Sequence, residues 1–227
     1  MPDREHLRKR ALFDAIATMG RGLASPVRLE LLDLLAQGPR SVEELARASG
    51  QSTANASQHL QALHAAGLAS RRREGTRVRY TLAGEDVLAL WLALRDASAA
   101  RLAQVERAAQ DYLGEQVEMI GREELLARLD RGEAVLIDVR PSEEFAAGHI
   151  DGARSVPLEE IEQRLDSLPR DTEIVAYCRG RYCAFAHDAV RTLARLGRRA
   201  RRLEDGWPEW KAAQQPTHAG LTNRSGG

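Results

Sequence analysis

Cysteine is scarce in this chain of 227 residues, which holds two, Cys178 and Cys183. So few cysteines exclude a small secreted fold held by disulfides, and in a reducing compartment two such thiols are more often reactive or buried than bridged. Long apolar runs are also missing. No stretch approaches the roughly 18 residues that span a bilayer, and the charged start MPDREHLRKR has no signal-peptide core. We therefore expect a cytoplasmic protein with no membrane partner.

Net charge is absent as well, since 33 Lys and Arg balance 33 Asp and Glu. The hydrophobic share of 43% and the charged share of 29% are typical of a soluble globular protein. The length suits one large domain or two of about 100 residues each. Arginines do cluster locally, at Arg71, Arg72, Arg73, Arg77 and Arg79. Alone, such a cluster is usually a solvated face and indicates nucleic acid only weakly.

Helix signals dominate the first half of the chain. Ser41 with Glu44 forms a capping-box pattern, Gly50 breaks that helix, and Ser52 caps the next. The period then changes to two in LASRRR and RVRYTL, which predicts a hairpin. A long helix is expected from about 85 to about 109, as a packing helix or a dimerisation helix, and we favour the second.

Strands and helices alternate in the second half. The apolar segments AVLIDV and EIVAY read as buried strands, and segments such as AFAHDAVRTLARLG read as helices. This alternation predicts a parallel sheet with helices on both faces. The expected fold is therefore a mainly α winged helix-turn-helix domain (1–110), a linker (111–120) and an α/β domain (121–213). A disordered tail (214–227) completes the prediction.

The first domain has the pattern of a DNA reader. Two short helices joined at a glycine and followed by a basic hairpin form a winged helix-turn-helix, whose second helix enters the major groove of double-stranded DNA. Taken singly, the polar residues there are better explained as a helix surface. The candidates for base contacts are Thr53, Asn55, Ser57, Gln58 and His59. The candidates for phosphate contacts are Arg73, Arg77 and, less directly, Arg79.

The string that begins LASPVRLELL and ends AGLASRRREG resembles the ArsR/SmtB family of winged-helix repressors, over roughly residues 8–110. The arrangement G-x-S-x(4)-S-x-H-L from Gly50 to Leu60 carries much of the resemblance. It implies a homodimer that binds operator DNA through Ser57, Gln58 and His59. The metal-sensing cysteines of many family members are missing from SVEELARAS, so we expect no metal there and no cofactor.

The second candidate site is the segment YCRGRYC at 177–183. A strand that runs into Cys178, followed by a loop and a helix, favours a reactive thiolate. Arg179 and Arg181 add positive charge, and Gly180 lets the backbone curl inwards. We therefore expect the pKa of the Cys178 thiol to lie below about 8.5. The alternative is that Cys178 is a buried core cysteine.

The stretches IDVRPSEEFAAGHIDGARSVPL, YCRGRYC and EDGWPEW resemble the single-domain rhodaneses over roughly residues 115–213. The resemblance implies a five-stranded parallel sheet and sulfur transfer from thiosulfate or a related donor through a cysteine persulfide. Cys178 is then the nucleophile, and Asp138 and Arg140 belong to a supporting motif, in which Asp138 more simply caps the turn after its strand. The residues of the implied cradle are Arg179, Gly180, Arg181, Tyr182 and Cys183.

Loop length separates the chemistries that this loop can host. Relatives that act on phosphate or arsenate have an arginine six residues after the cysteine, which clamps the oxyanion. This chain has Ala184 at that position, which favours sulfur. Cys183 is either a resolving thiol for a persulfide on Cys178 or a small residue at the start of the next helix.

The leading hypothesis is a DNA-binding transcriptional regulator that carries sulfur on Cys178 and so senses reactive sulfur, with thiosulfate or polysulfide as the donor. One alternative is an active sulfurtransferase with an attached DNA-binding domain. The other is a regulator whose second domain only docks another protein.

Overall fold

The computed structural model describes residues 4–75 and 77–220, without the side chain of Arg77. The chain divides into two compact units, Met1–Leu94 and Arg95–Gly227. The division falls earlier than the predicted boundary at residue 110.

The first unit contains helices and a small antiparallel sheet. Its strands lie in the order β1-β3-β2, and β2 and β3 form the predicted hairpin. The elements are α1 (Arg4–Leu23), α2 (Pro26–Ala36), β1 (Arg40–Ser41), α3 (Val42–Ala48), α4 (Thr53–Ala65), β2 (Ala69–Glu74), β3 (Arg77–Leu82) and α5 (Glu85–Arg101), which continues into the second unit.

The predicted helix starts of this unit are confirmed. The amide of Glu44 donates to Ser41 Oγ at 3.2 Å, and the amide of Ser41 donates to Glu44 Oε2 at 2.7 Å. Ser52 Oγ accepts from the amide of Asn55 at 3.2 Å. Each such cap contributes about 1 kcal/mol, so these local signals determine where α3 and α4 begin.

Strands of the second unit form a parallel sheet in the order β4-β9-β8-β5-β7, five strands within the residues described. They are β4 (Met119–Ile120), β5 (Ala134–Asp138), β7 (Arg154–Ser155), β8 (Glu173–Tyr177) and β9 (Ala200–Leu203). A separate antiparallel pair consists of β6 (His149–Ile150) and β10 (Thr217–His218). The remaining helices are α6 (Ala103–Leu113), α7 (Arg122–Asp130), α8 (Ser142–Ala147), α9 (Ile161–Arg164), α10 (Ala184–Arg195) and α11 (Trp207–Ala212).

Residues of β8 alternate between two buried clusters. Val175 and Tyr177 pack with one cluster, and Ile174, Ala176 and Cys178 pack with the other. Because successive side chains of a strand point to opposite faces, both faces of the sheet are covered, as the sequence predicts.

The expectation of one long helix before the connecting segment is wrong. The single helix expected over 85–109 is broken at Leu102, whose φ of −118° and ψ of 96° are extended. No glycine or proline marks this break, and α6 packs against α10 instead of continuing α5. The predicted linker 111–120 is partly regular, because α6 extends to Leu113 and β4 begins at Met119.

The predicted disordered tail also needs correction. Thr217 pairs with Ile150 in β6, Trp210 Nε1 donates to Pro216 O at 3.0 Å, and the amide of Gly220 donates to Ala146 O at 3.0 Å. These contacts order the chain to Gly220. The rest of the predicted tail, 221–227, lies outside the described residues.

Candidate functional site

The candidate recognition helix is α4. Thr53 and Gln58 are exposed, while Ser57 and His59 are half-buried. Asn55 Nδ2 donates to Gln51 Oε1 at 2.5 Å, so that amide is partly committed within the protein. Of the five predicted base-contacting side chains, those of Thr53 and Gln58 are the most accessible.

The hairpin that follows α4 presents its arginines differently. Arg71, Arg72 and Arg73 on β2 are exposed. Arg79 Nη2 donates to Pro39 O at 2.8 Å, so this side chain braces the hairpin. The side chain of Arg77 lies outside the described residues. Among the hairpin arginines whose side chains are described, the exposed ones lie on β2.

The cysteine loop connects β8 to α10. Cys178 follows the last residue of β8, and Cys183 is the N-cap of α10. Gly180, with φ of +140°, turns the loop so that its carbonyl accepts the amide of Cys183 at 3.1 Å. The loop is thus a closed turn that places both sulfurs near the start of a helix.

The turn after β9 packs directly on this loop. The amide of Trp207 donates to Cys178 O at 3.0 Å. A Cβ added to Gly206 would lie 2.2 Å from Gly180 N and 2.6 Å from Cys178 O. Only glycine permits this approach, which explains the glycine in EDGWPEW.

The thiol of Cys178 donates to the carbonyl oxygen of Cys183, and the pKa values of the two thiols shift in opposite directions. Cys178 is 1% exposed, and its Sγ lies 3.6 Å from Cys183 O. Burial, then the contact with Cys183, raises the pKa of Cys178 well above its usual range. The hydrogen bond from Cys178 and the amides of Arg179 and Phe185 lower the pKa of Cys183 to about 7. The expected low pKa at Cys178 is therefore wrong, because that thiol is buried at the strand end.

The two loop arginines differ in their partners. Arg179 forms an ion pair with the buried Glu144, with Nε 3.0 Å from Oε1, and its guanidinium lies over the ring of Phe185 at 4.9 Å. The side chain of Arg181 is exposed, although its amide faces Glu209 Oε1 at 3.4 Å. The charge of Arg179 nevertheless acts to lower the pKa of Cys183, as expected of a positive charge in this loop.

Arg202 on β9 supplies a charge that sequence reasoning missed. It is 3% exposed, and its Nη2 donates to Gly180 O at 3.2 Å and to Arg181 O at 2.8 Å. Burial lowers its pKa, whereas the charges of Cys178 and Cys183 act to raise it. The alternation of RARRLE as a strand is the one signal that could have indicated an inward-facing arginine.

Glu209 on α11 was missed as well. Its Oε1 accepts from Arg95 Nη1 at 2.5 Å and its Oε2 accepts from the amide of Gly206 at 2.9 Å. Together with the amide of Arg181, these contacts hold the cysteine loop against the second part of α5.

Asp138 and Arg140 form a buried ion pair, Nη2 to Oδ2 at 2.6 Å. Asp138 Oδ1 also accepts the amide of Arg140 at 3.0 Å, and Arg140 Nη2 donates to Gly148 O at 2.8 Å. Burial lowers the pKa of Arg140, but Asp138 outweighs it and raises that pKa. Asp138 thus closes the turn after β5, which agrees with the simpler of the two roles predicted for it.

A cavity of about 360 Å³ lies beside the cysteine loop within the second unit. Arg181, Tyr182, His187 and Arg202 line it on the loop side, and residues of α5 and α6 line the other. In the described residues, Tyr182 Oη and Arg202 Nε are buried without a hydrogen-bond partner. The cavity has room for a small anion next to positive charge.

The described residues contain neither a candidate metal site nor a candidate membrane-spanning helix. Over residues 4–75 and 77–220, no group of three or more His, Cys, Asp or Glu side chains is placed to hold a metal ion. No helix in those ranges combines the length and apolar character needed to cross a membrane.

Comparison with known proteins gives matches for both halves of the chain. The family models described as a bacterial regulatory protein of the arsR family and as a rhodanese-like domain match residues 25–71 and 121–213. The HTH-type transcriptional regulator Rv0324 of Mycobacterium tuberculosis is 49% identical over 213 residues, which is 94% of each chain. A sulfurtransferase of Allochromatium vinosum is 38% identical over 64 residues, 28% of this chain and 60% of that protein. The solved homodimeric winged helix-turn-helix DNA-binding domain of Mb0332 from Mycobacterium bovis is 46% identical, with a TM-score of 0.41, over 45% of this chain and 91% of that one.

Proposed function

The chain belongs to the ArsR family of bacterial regulatory proteins and carries a rhodanese-like domain, and from this we propose that it is a transcriptional regulator that senses reactive sulfur species. In this proposal the second unit takes up sulfane sulfur, which comes to rest on Cys178. The first unit binds operator DNA through α4 and the β2–β3 hairpin. Sulfur uptake changes operator affinity.

The observation that carries the sulfur part of the proposal is the thiol pair. Both cysteines of the chain lie in one loop, where Cys178 Sγ lies 3.6 Å from Cys183 O and the buried Arg202 donates to the loop carbonyls of Gly180 and Arg181. A thiolate near neutral pH is the reactive form for sulfur exchange. Because Ala184 stands where an oxyanion clamp needs an arginine, the loop suits sulfur better than phosphate or arsenate.

Binding to DNA as a homodimer is supported by α1. Helix α1 leaves large apolar side chains exposed, and Leu12, Ile16 and Met19 form a stripe at helical spacing. The exposed residues are Leu7, Leu12, Phe13, Ile16 and Met19. By contrast, α5 buries Val87, Leu88 and Leu92 within its own unit. We therefore assign the main dimer contact to α1, not to the segment 85–109 that the sequence favours.

A route from the thiols to α5 is supported by contacts of α10, which begins directly after Cys183. Arg191 Nη2 donates to Leu113 O at 2.6 Å and to Glu115 O at 2.5 Å, on either side of Gly114. Gly114 has φ of +70° and ψ of −142°, which glycine adopts far more readily than other residues. A shift of α10 would thus pass to α6 and on to α5, which is one unbroken helix from Glu85 to Arg101.

An active sulfurtransferase is the second candidate, since a rhodanese-like domain matches residues 121–213. The deciding test is operator affinity with and without inorganic polysulfide, for wild type and Cys178→Ser. We expect a change of 5- to 150-fold, or about 1–3 kcal/mol, in wild type alone. Turnover of thiosulfate without any change in operator affinity favours the enzyme. If the protein neither turns over thiosulfate nor changes its operator affinity, the docking role is favoured.

A further inference from the structure

The cavity of about 360 Å³ beside the cysteine loop has one wall made by α5 and α6. Each helix lines it with residues three or four positions apart, which share one helix face. These residues include Asp96, Ala99 and Ala100 of α5 and Glu106, Ala109 and Leu113 of α6. Both helices meet at Leu102, where the backbone is extended, so their two faces line one space that the small alanine side chains leave open.

The opposite wall contains a buried arginine whose recorded partners are all neutral. Arg202 is 3% exposed, and its guanidinium donates to the carbonyl groups of Gly180 and Arg181 and to Met119 Sδ, the last at 3.3 Å. In the described residues its Nε has no hydrogen-bond partner. Because buried charges in proteins are usually paired with an opposite charge, this guanidinium has the capacity for one more partner, of negative charge.

Tyr182 adds a second donor to the same wall. Its Oη is buried and, within the part of the chain that the structure describes, lacks a hydrogen-bond partner. Most buried polar atoms have a partner, and leaving one without any costs folding free energy. Arg181, whose side chain is exposed, also lines this wall. The loop side of the cavity therefore offers two guanidinium groups and a hydroxyl to an anionic group.

The helix wall has the opposite charge. Asp96 Oδ1 accepts from Arg95 Nη2 at 3.0 Å, and Glu106 Oε1 accepts from Gln110 Nε2 at 3.2 Å. Both carboxylates are exposed, so each can accept a further hydrogen bond. A simple anion in the cavity would be repelled by these two carboxylates, and a simple cation by the arginines. A ligand with one charge of each sign is complementary to both walls.

We propose that this cavity binds a small zwitterion of the amino-acid class. The carboxylate of the ligand lies at Arg202 and Tyr182, and its ammonium group lies at Asp96 and Glu106. Of the described residues that line the cavity, none is a cysteine, so the ligand binds beside the thiols without reacting with them. The site therefore goes beyond the proposed function. A bound ligand connects the cysteine loop to α5 and α6.

Isothermal titration calorimetry with L-norvaline tests this proposal, because the propyl side chain of that amino acid cannot react with thiols. Pentanoate lacks the ammonium group and butylamine lacks the carboxylate, while both keep the carbon chain. We expect L-norvaline to bind at least about tenfold more tightly than either analogue, since each analogue leaves one charged wall unpaired. Equal binding of pentanoate or of sulfate would show a simple anion site and overturn the proposal, as would no binding of L-norvaline.

Tyr182→Phe separates ligand binding from folding. It removes only a hydroxyl that has no partner in the described residues, so the unfolding temperature of the ligand-free protein should stay the same or rise. Affinity for L-norvaline should fall about tenfold, because the carboxylate loses a donor. Tyr112→Phe is the matched control, since Tyr112 is 66% exposed and lies outside the cavity lining. Wild-type affinity in Tyr182→Phe contradicts the assigned carboxylate position.

Glu106→Gln tests the other end of the ligand. Glu106 is exposed on α6, so its replacement should leave the fold intact. We expect the affinity for L-norvaline to fall by about fivefold or more while that for pentanoate stays the same or rises, because pentanoate has no ammonium group to lose a partner. An equal loss for both ligands would overturn the assignment of the acidic wall to the ammonium group.

Discussion

The buried Arg202 lies beside the cysteine loop. The guanidinium of Arg202 acts to lower the pKa of Cys178, against the larger effect of burial, and the cysteine charges act on Arg202 in return. The side chain is held by two carbonyl groups of the loop, of Gly180 and Arg181, so it also fixes the loop conformation. Removing its charge while keeping hydrogen-bond donors separates these two roles.

We predict that Arg202→Gln shifts the pH midpoint of thiol alkylation upward, by up to about one unit. Less thiolate is then present at neutral pH, so the alkylation rate at pH 7 falls while the rate at high pH is retained. The control is Arg201→Gln, because Arg201 pairs with Glu173 and Glu124. An equal shift in both variants would contradict the role given to Arg202.

Gly206 permits the close packing of two turns, and Gly206→Ala should be strongly disruptive. Its Cβ would lie 2.2 Å from Gly180 N, so the cysteine loop must move. We expect a loss of about 1–3 kcal/mol in thermal or denaturant unfolding of the second unit, together with slower sulfur uptake. Gly121→Ala is the control, since a Cβ added to Gly121 would have its nearest neighbour, Glu204 Oε2, at 3.9 Å. Equal stability of the two variants would show that the cysteine loop can move to accommodate the Cβ without a loss of folding free energy.

Among the elements, the proposed function gives base recognition to α4 and phosphate contacts to β2. Gln58→Ala should weaken binding to the operator relative to other sequences, because base contacts carry specificity. Arg73→Ala should weaken binding to all sequences alike and reduce the salt dependence by about one counterion. Electrophoretic or fluorescence titration at several salt concentrations measures both effects.

The control for this pair is Arg170→Ala, a change of the exposed Arg170 in the second unit. His59→Ala serves as a second specificity variant. If neither Gln58→Ala nor His59→Ala alters operator preference, the assignment of α4 as the recognition helix is wrong.

The apolar stripe of α1 leads to a prediction about assembly. Ile16→Glu places a charge in the stripe, which costs little in the monomer because Ile16 is 59% exposed there. We expect it to convert a dimer to monomers in sedimentation equilibrium and to weaken operator binding. The control Leu196→Glu, at an exposed apolar residue of the second unit, should leave the dimer intact. If the Ile16→Glu variant remains a dimer, the assignment of the interface to α1 is wrong.

Local signals predicted the elements that depend on them. The caps at Ser41 and Ser52 and the apolar run of EIVAY predicted α3, α4 and β8, because capping and short apolar runs act over a few residues. The strands β4, β6 and β10 were missed, since two-residue strands are defined by their partners. The break at Leu102 was missed for the same reason, because it depends on the packing of α6 against α10.

At the site, the sequence identified the loop but not which thiol ionises. Position in the motif pointed to Cys178, but burial raises the pKa of that thiol, while the contact with Cys178 lowers the pKa of Cys183, and no local pattern indicates either effect. The sequence did not distinguish Arg202 from the other arginines of RARRLE, because it differs from them in the burial of its side chain. Glu209 was missed because its partners are distant in sequence.

For the whole molecule, function requires that sulfur on the loop change contacts which differ between DNA-binding states. In the proposed function, sulfur is carried on Cys178 in the loop that leads into α10, and the same helix holds the chain around Gly114 through Arg191. Two hydrogen bonds to carbonyl groups 113 and 115 thus link α10 to the end of α6.

We predict that Arg191→Gln uncouples sulfur uptake from DNA binding. The variant keeps both thiols and α4, so its persulfide formation by mass spectrometry and its operator affinity without polysulfide should equal those of wild type. Its operator affinity with polysulfide should then change by less than about twofold, against 5- to 150-fold in wild type. Arg195→Gln is the control, one turn further along α10, where Arg195 donates to Thr192 of the same helix. If Arg191→Gln responds as fully as wild type and Arg195→Gln, the signal reaches α5 by another path, with the Arg95–Glu209 contact as the next to be changed.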